Sequence, residues 1–427
     1  MKTYNSNRKT WIAVIAAASG NLLEFYDFAV YAYFVATIAK LFFPNQDPVV
    51  SLMETFAAYG IGFVARPVGS LVIGRIGDIK GRKPAMLLTV TCMAIGSIGV
   101  GVVPSYESIG VAAPILLVSL RALQGFAAGG EYGTSTAFIV ESSPPEHRGF
   151  FGSFQTVSAS CAALLASIVA SLLSLVPADV VHAWAWRVPF VAGGIAISLF
   201  SIFLRAKTEE TPEYEKSKKE MLTIPVAGSA AFKLGLKAFG FTIFWTVLSY
   251  LVNAYMVTYT QREAGLAREQ ALLASNIALL VQTLLLPVAG AISDRVGRKP
   301  LLLSSCILTA IVAYPILRAM SSGASFQQVL LLQCCFGALF ALFSGPAPAA
   351  ICEIFPTKLR TTWMSVGFTL SVSIFGGFSP LVSTWLISTL HMSAAPSLLI
   401  VPAAVISGLV ICTLPVWRRS AIQSNAH

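Results

Sequence analysis

The chain has 427 residues, of which 56% are hydrophobic and 11% charged, with mean hydropathy +0.75 and a formal net charge of +10. A water-facing domain carries roughly 25% charge, so a soluble enzyme, a nucleic-acid-binding protein and a disordered chain are excluded. The apolar residues are gathered in blocks such as 84–103, 150–176, 191–204 and 301–317, and roughly 20 such residues at about 1.5 Å rise each cross the hydrocarbon core. The class is a polytopic helical membrane protein.

Taken in chain order, hydropathy with Gly, Pro and charge as punctuation predicts twelve spans. They lie near 11–38, 50–74, 84–104, 111–141, 150–176, 186–205, 236–260, 270–291, 300–320, 326–350, 362–388 and 395–416. The first follows Lys2, Arg8 and Lys9, and Ala16-Ala17-Ala18 has the look of a signal cleavage site. The apolar segment runs on past it to about residue 38, so it reads as a retained span. The longest hydrophilic stretch, 206–224, splits the spans into two sets of six. The expected organisation is a six-helix bundle over 1–205, a cytoplasmic central loop over 206–235, a second bundle over 236–417 and a short cytoplasmic tail over 418–427. The expected fold class is an all-α membrane protein with 12 transmembrane helices.

The basic residues set the orientation. With both termini on one side, that side collects 22 of the 29 Lys and Arg, the other side 5, and 2 (Arg66 and Arg121) lie within spans. The positive-inside rule then puts both termini in the cytoplasm, and the basic balance reports topology, with no nucleic-acid footprint. The seven cysteines lie in or near apolar segments without C-x-x-C spacing and read as small apolar fillers. The four histidines (147, 182, 391, 427) make no paired-ligand pattern and no G-x-S-x-G occurs, which argues against an enzyme and against a metal or other cofactor.

Two motifs recur between the halves. Gly74-x-x-x-Asp78-x-x-Gly81-Arg82-Lys83-Pro84 follows the second span, and Gly290-x-x-x-Asp294-x-x-Gly297-Arg298-Lys299-Pro300 follows the eighth. Glu141-x-x-Pro144-x-x-x-Arg148 follows the fourth span and Glu353-x-x-Pro356-x-x-x-Arg360 the tenth. Their nearly equal offsets indicate parallel six-helix pseudo-repeats. The glycines allow a tight turn, and the acids and bases can pair or cap helix ends. Contacts of this kind form a gate on the cytoplasmic side that holds in one state and breaks in another.

With these motifs the chain resembles the major facilitator superfamily. More narrowly, it resembles the metabolite:proton symporter family in Gly20-Asn21-Leu22-Leu23-Glu24-Phe25-Tyr26-Asp27-Phe28, Arg66-Pro67-Val68-Gly69, Arg121-Ala122-Leu123-Gln124-Gly125, Gly129-Gly130-Glu131-Tyr132-Gly133 and Trp186-Arg187-Val188-Pro189-Phe190. The resemblance implies the major facilitator fold, a bacterial cytoplasmic (inner) membrane and a carrier that works as a monomer. It also implies import of a substrate such as proline or a betaine, 2-oxoglutarate, citrate or shikimate with protons.

Ionisable groups at membrane depth are functional candidates by default. Glu24 lies about 20 Å along the first span, and Glu24, Asp27 and Tyr31 share one helical face. Arg121, Gln124, Ala128 and Glu131 form a stripe on the fourth span. Apolar surroundings disfavour the charged form of a carboxyl, which suits a group that binds and releases a proton, and a guanidinium offers a planar fork to a carboxylate. Asp27 or Glu24 is therefore the candidate proton carrier, and Arg121 or Arg66 the group that meets an anionic substrate. The competing reading pairs these acids and arginines permanently, to hold helices together. Glu131 is a candidate gate residue and Glu54 an interfacial one. The second half supplies neutral candidates: Tyr250, Asn253 and Tyr255, with Thr246, Tyr250 and Asn253 on one face, and Gln282 and Gln333. The expected partners are a small organic anion, or alternatively a zwitterion, together with protons and the lipid bilayer. Drug export is the weaker rival, because it leaves two intramembrane arginines unexplained.

Overall fold

The computed structural model describes residues 2–45, 48–173, 175–220 and 228–414. The expected tail, 418–427, and part of the expected central loop lie outside them. No strand occurs among the described residues. Hydrocarbon offers no partner to a backbone N–H or C=O, so an open chain crosses it as helix. Among the described residues eleven helices are long and apolar enough to do so: Arg8–Tyr33, Met53–Ile79, Arg82–Val102, Ala112–Glu141, Pro145–Leu173, Val181–Lys207, Ala231–Arg262, Arg268–Val296, Arg298–Ser321, Phe326–Ile354 and Arg360–Leu390. The shorter apolar helix Ser397–Thr413 completes twelve, and they are called the first to twelfth spans below.

The first span ends earlier than its hydropathy suggests. The helix stops at Tyr33, Phe34 leaves the helical conformation, and a separate helix runs Val35–Phe42. Phe34 stays buried across the break, so apolar continuity hides it from a hydropathy reading. π-helical turns occur at Val181–Ala185, Leu251–Tyr255 and Val372–Gly376, and each shifts the face presented by the residues that follow.

The chain divides into two compact units. One comprises Met1–Ser142, Cys161–Ile224 and Thr357–Thr369, and the other Ser143–Ser160, Pro225–Pro356 and Leu370–His427. The start of the eleventh span therefore packs with first-half helices, and the start of the fifth with second-half helices. The core of the first unit is aromatic: Tyr26, Tyr31, Phe34, Phe42, Trp186 and Phe190 are all buried in one cluster. In the second unit Phe241, Phe244 and Trp245 gather around Phe343.

Within the first unit the second and fourth spans touch backbone to backbone. A Cβ added to Gly125 would lie 1.9 Å from the carbonyl oxygen of Gly62, and one on Gly129 would lie 2.0 Å from that of Arg66. Only glycine admits this approach, which brings Arg66 and Arg121 around the first span. The repeated Gly81 and Gly297 adopt φ of +112° and +96°. Both sit in the turn before the next helix, in a region that L-residues with a side chain avoid.

Candidate functional site

Four of the intramembrane charges form two ion pairs inside the first unit. Arg66 Nη2 lies 3.0 Å from Glu24 Oε1, and Arg121 Nη1 lies 3.0 Å from Asp27 Oδ2. Gln124 closes a triangle with the second pair: its Nε2 donates to Asp27 Oδ2 at 2.6 Å, and its Oε1 accepts from Arg121 Nη1 at 2.7 Å. All five side chains are buried, Asp27, Arg121 and Gln124 completely. The helical face expected for Glu24, Asp27 and Tyr31 is thus the face that meets both arginines.

Aromatic rings surround the two guanidiniums. Arg66 sits 4.7 Å from the Phe28 ring and 4.8 Å from Phe63, and Arg121 sits 4.5 Å from Phe28, 4.3 Å from Tyr31 and 5.3 Å from Tyr59. Ring faces carry negative charge and attract such cations. Tyr31 is stacked on Tyr59 and its hydroxyl donates to the Thr55 carbonyl at 3.3 Å.

Glu131 is paired as well, with Arg205, the last residue of the sixth expected span. The charge count places Arg205 among the cytoplasmic basic residues, yet its side chain is fully buried. It binds both carboxylate oxygens of Glu131, with Nη1 3.3 Å from Oε2, and donates to the carbonyls of Ala16 at 3.0 Å, Ala17 at 3.2 Å and Met86. Thr89 also donates to Glu131. The sixth span continues to Lys207 and turns Arg205 inward. The spacing Ser198, Ser201, Arg205 marks the buried stripe, because all three are buried and +3, +4 spacing places them on one face.

The three pairs differ in saturation. Glu24 Oε2, Asp27 Oδ1, Arg66 Nε, and Arg121 Nε and Nη2 are buried polar atoms without a hydrogen-bond partner. Every polar side-chain atom of Glu131 and Arg205 is bonded.

The first repeated motif builds a latch in the first unit. Asp78 accepts from the backbone N–H groups of Thr361 at 3.1 Å and Thr362 at 3.0 Å and from both threonine hydroxyls, capping the start of the eleventh span. A carboxylate at a helix N-terminus meets orphan N–H groups and the positive end of the dipole. Arg82 joins Asp78 at 3.2 Å, Glu141 at 3.0 Å and the Thr357 carbonyl at 2.7 Å. Arg360 bridges Glu141 at 2.7 Å and Glu213 at 2.6 Å. Gly74 accepts a hydrogen bond from Thr361 Oγ1 at 2.8 Å through its carbonyl.

The second motif repeats this arrangement in the second unit. Asp294 accepts from the backbone N–H of Gly149 at 2.8 Å and Phe150 at 2.9 Å, where the fifth span begins beside Arg148. Arg298 binds Asp294 at 2.6 Å and approaches Glu353 at 3.4 Å. Thr361, Thr362 and Glu213 join these networks and are not named by the sequence motifs.

The neutral candidates of the second half make polar contacts of their own. Thr246 Oγ1 lies 3.0 Å from Ser371 Oγ, Gln282 donates to Ser160 at 3.4 Å, and Gln333 accepts from Ser275 at 3.2 Å. Tyr255 accepts from Thr384 at 3.1 Å. The ring of Tyr250 lies against Gly376, where an added Cβ would be 2.7 Å away. Asn253 falls in the π-turn that follows, is exposed, and donates to Ser249 at 3.4 Å. The wide turn alters the register on which Thr246, Tyr250 and Asn253 were expected to align. Glu54 is exposed, as an interfacial residue would be.

A cavity of about 770 Å³ in the second unit, lined by residues including Leu285, Val288, Leu308 and Leu342, presents no charged side chain. Among the described residues, no group of three or more His, Cys, Asp or Glu could hold a metal ion.

Residues 12–223 match the model of the family described as "Sugar (and other) transporter", and residues 230–425 match that of the "Major Facilitator Superfamily". The chain is 32% identical over 413 residues to a citrate-proton symporter of Klebsiella pneumoniae, covering 96% of this chain and 92% of the other. It is 34% identical over 415 residues to a protein of Staphylococcus haemolyticus named for proline/betaine transport, covering 94% and 87%. The solved structure of the proton:xylose symporter XylE with a bromodeoxyglucose bound superimposes with a TM-score of 0.79 at 18% identity, over 96% of this chain and 97% of that one. Among the described residues, twelve apolar helices in two related halves, with an acidic helix cap at Asp78 and its repeat at Asp294, define a carrier of the facilitator type. The chain belongs to the major facilitator superfamily.

Proposed function

We propose that this chain is a proton-coupled importer of a small organic acid, a mono-, di- or tricarboxylate of the kind represented by citrate or 2-oxoglutarate, working by alternating access. The observation that carries this reading is the pairing of Glu24 with Arg66 and Asp27 with Arg121 inside one bundle. A buried guanidinium keeps its charge, and leaving it uncompensated costs several kcal/mol. When a proton neutralises the acid, the arginine needs another anion, and a substrate carboxylate supplies one. Release of the proton on the alkaline side restores the pair and expels the substrate. The similarity to a citrate-proton symporter agrees with this cycle.

The latches at Asp78 and Asp294 are assigned to the cytoplasmic side, where the basic loops place them, and they open as the carrier turns inward. The protein would reside as a monomer in a bacterial cytoplasmic membrane with both termini inside. A second reading, import of a zwitterion, is favoured by the relative named for proline/betaine transport and by the aromatic rings around the arginines, since ring faces also bind quaternary ammonium groups.

Uptake of labelled citrate, 2-oxoglutarate, proline and glycine betaine, with and without a protonophore, separates the two. Protonophore-sensitive carboxylate accumulation is expected, and uptake of glycine betaine alone would transfer the assignment to the zwitterion. The double variant Glu24→Gln/Asp27→Asn should reach the membrane and accumulate no substrate against its gradient. Uphill uptake driven by a pH gradient in that variant removes both acids from the coupling role.

A further inference from the structure

The three buried acid–arginine pairs of the first unit are not equivalent. Arg205 spends its remaining N–H groups on the Ala16, Ala17 and Met86 carbonyls, and Glu131 is further bonded by Thr89. That pair is complete and staples the first, third, fourth and sixth spans together. The Glu24–Arg66 and Asp27–Arg121 pairs each retain a carboxylate oxygen and at least one guanidinium nitrogen without a partner. These two pairs can therefore accept further groups.

We propose that both unsaturated pairs exchange in each cycle, so that two protons enter with one dianionic dicarboxylate and no net charge crosses the membrane. The inference rests on the importer reading above and fixes its stoichiometry and substrate charge. Each carboxylate, Glu24 and Asp27, takes one proton from outside and becomes neutral. Each guanidinium, relieved of its partner but still cationic, accepts one substrate carboxylate by its free N–H groups. On the inner side the dianion leaves, the two protons follow, and both pairs re-form.

The geometry suits a single bridging substrate. Both guanidinium carbons lie within cation–π range of the one Phe28 ring, at 4.7 and 4.5 Å, so they are no more than about 9 Å apart. One small dicarboxylate reaches both. The rings of Phe28, Tyr31, Tyr59 and Phe63 keep a face on the arginines while the acids are neutral. The titratable or charged groups facing the two acids are Tyr26 and Tyr31 of the first span, Tyr59 and Arg66 of the second, and Arg121 and Glu131 of the fourth, the last of these held by Arg205 of the sixth. The third span contributes Ser97, whose hydroxyl faces Asp27 and does not titrate. Of the acids among these, only Glu24 and Asp27 have an unpartnered oxygen.

The test is a thermodynamic stoichiometry on the full-length protein in proteoliposomes, with 2-oxoglutarate as probe and the membrane potential clamped by valinomycin and potassium. For two protons per dianion, one pH unit should sustain a substrate gradient of about 100-fold at any clamped potential, because each tenfold in proton activity counts twice. In Glu24→Gln the expected gradient falls to about tenfold and becomes dependent on potential, since one carboxylate then enters without its proton. Glu24→Asp keeps the titrating group and should retain the wild-type slope. A wild-type gradient of about tenfold per pH unit, or a wild-type slope in Glu24→Gln, overturns the two-proton cycle while leaving a proton-coupled importer in place. If Glu24→Gln is inactive, the wild-type slope still decides. Failure of any pH gradient to drive 2-oxoglutarate uptake overturns the dicarboxylate assignment, and the importer reading falls only if the labelled citrate is not accumulated either.

Discussion

The first six spans bury formal charge along their length, whereas in the last six, among the described residues, buried formal charge is confined to Arg298 and Arg360 at the span starts and the rest of the buried polar groups are hydroxyls and amides. Glu24, Asp27, Arg66, Arg121, Glu131 and Arg205 have no ionised counterparts beside Thr246, Gln282, Gln333 and Ser371. Charged pairs change state when a proton arrives, but neutral hydrogen bonds of this kind do not. On the proposed reading, coupling is therefore a property of one bundle. The other is left free to shape selectivity with contacts that each contribute little, typically about 1 kcal/mol. A second contrast runs between the two latches. Asp78 holds two backbone N–H groups, two hydroxyls and Arg82, while Asp294 holds two backbone N–H groups and Arg298.

These contrasts can be broken by substitution. Arg205→Ala leaves Glu131 buried without its cationic partner and should destabilise the protein by about 3–5 kcal/mol, read as a lower melting temperature in detergent. An unchanged melt would show that the third pair is not structural and would erase its distinction from the other two. Asp78→Asn should lower the transport rate roughly tenfold by removing charge-assisted bonds worth about 1.5–3 kcal/mol. Asp294→Asn, which strips a smaller set of donors, should cost less. Equal losses, or a larger one at Asp294, would make the latches equivalent. Thr246→Ala removes the hydroxyl that bonds the Ile243 carbonyl and Ser371, both neutral contacts, and should shift KM by no more than about tenfold with the pH profile unmoved. A displaced pH profile in that variant would place a coupling role in the second half.

Much of this organisation was legible in the sequence because hydrocarbon punishes exceptions. A charge inside an apolar run stands out, so Glu24, Asp27, Arg66 and Arg121 could be singled out, and helical spacing placed Glu24 and Asp27 on one face. The motif repeat likewise located both latches. What the sequence did not reveal has physical causes. Arg205 lies at the end of an apolar run, where a basic residue ordinarily marks a cytoplasmic loop, and only the Ser198–Ser201–Arg205 stripe signals its burial. The caps on Asp78 and Asp294 are backbone N–H groups, which every residue type but proline carries and which no motif can specify. The π-turn at Leu251–Tyr255 changes the angular step, so a face drawn at 3.6 residues per turn fails beyond Tyr250.

The Asp78 cap has a consequence for the way the carrier moves. When the eleventh span leaves that carboxylate, the N–H groups and hydroxyls of Thr361 and Thr362 and the carboxylate itself must find other hydrogen-bond partners, because an orphan polar group cannot stay dry. Water is the partner at hand. Unlatching is then a hydration reaction, and its equilibrium depends on the activity of water. On the proposed gating reading, solutes excluded from protein surfaces should therefore hold the latch shut.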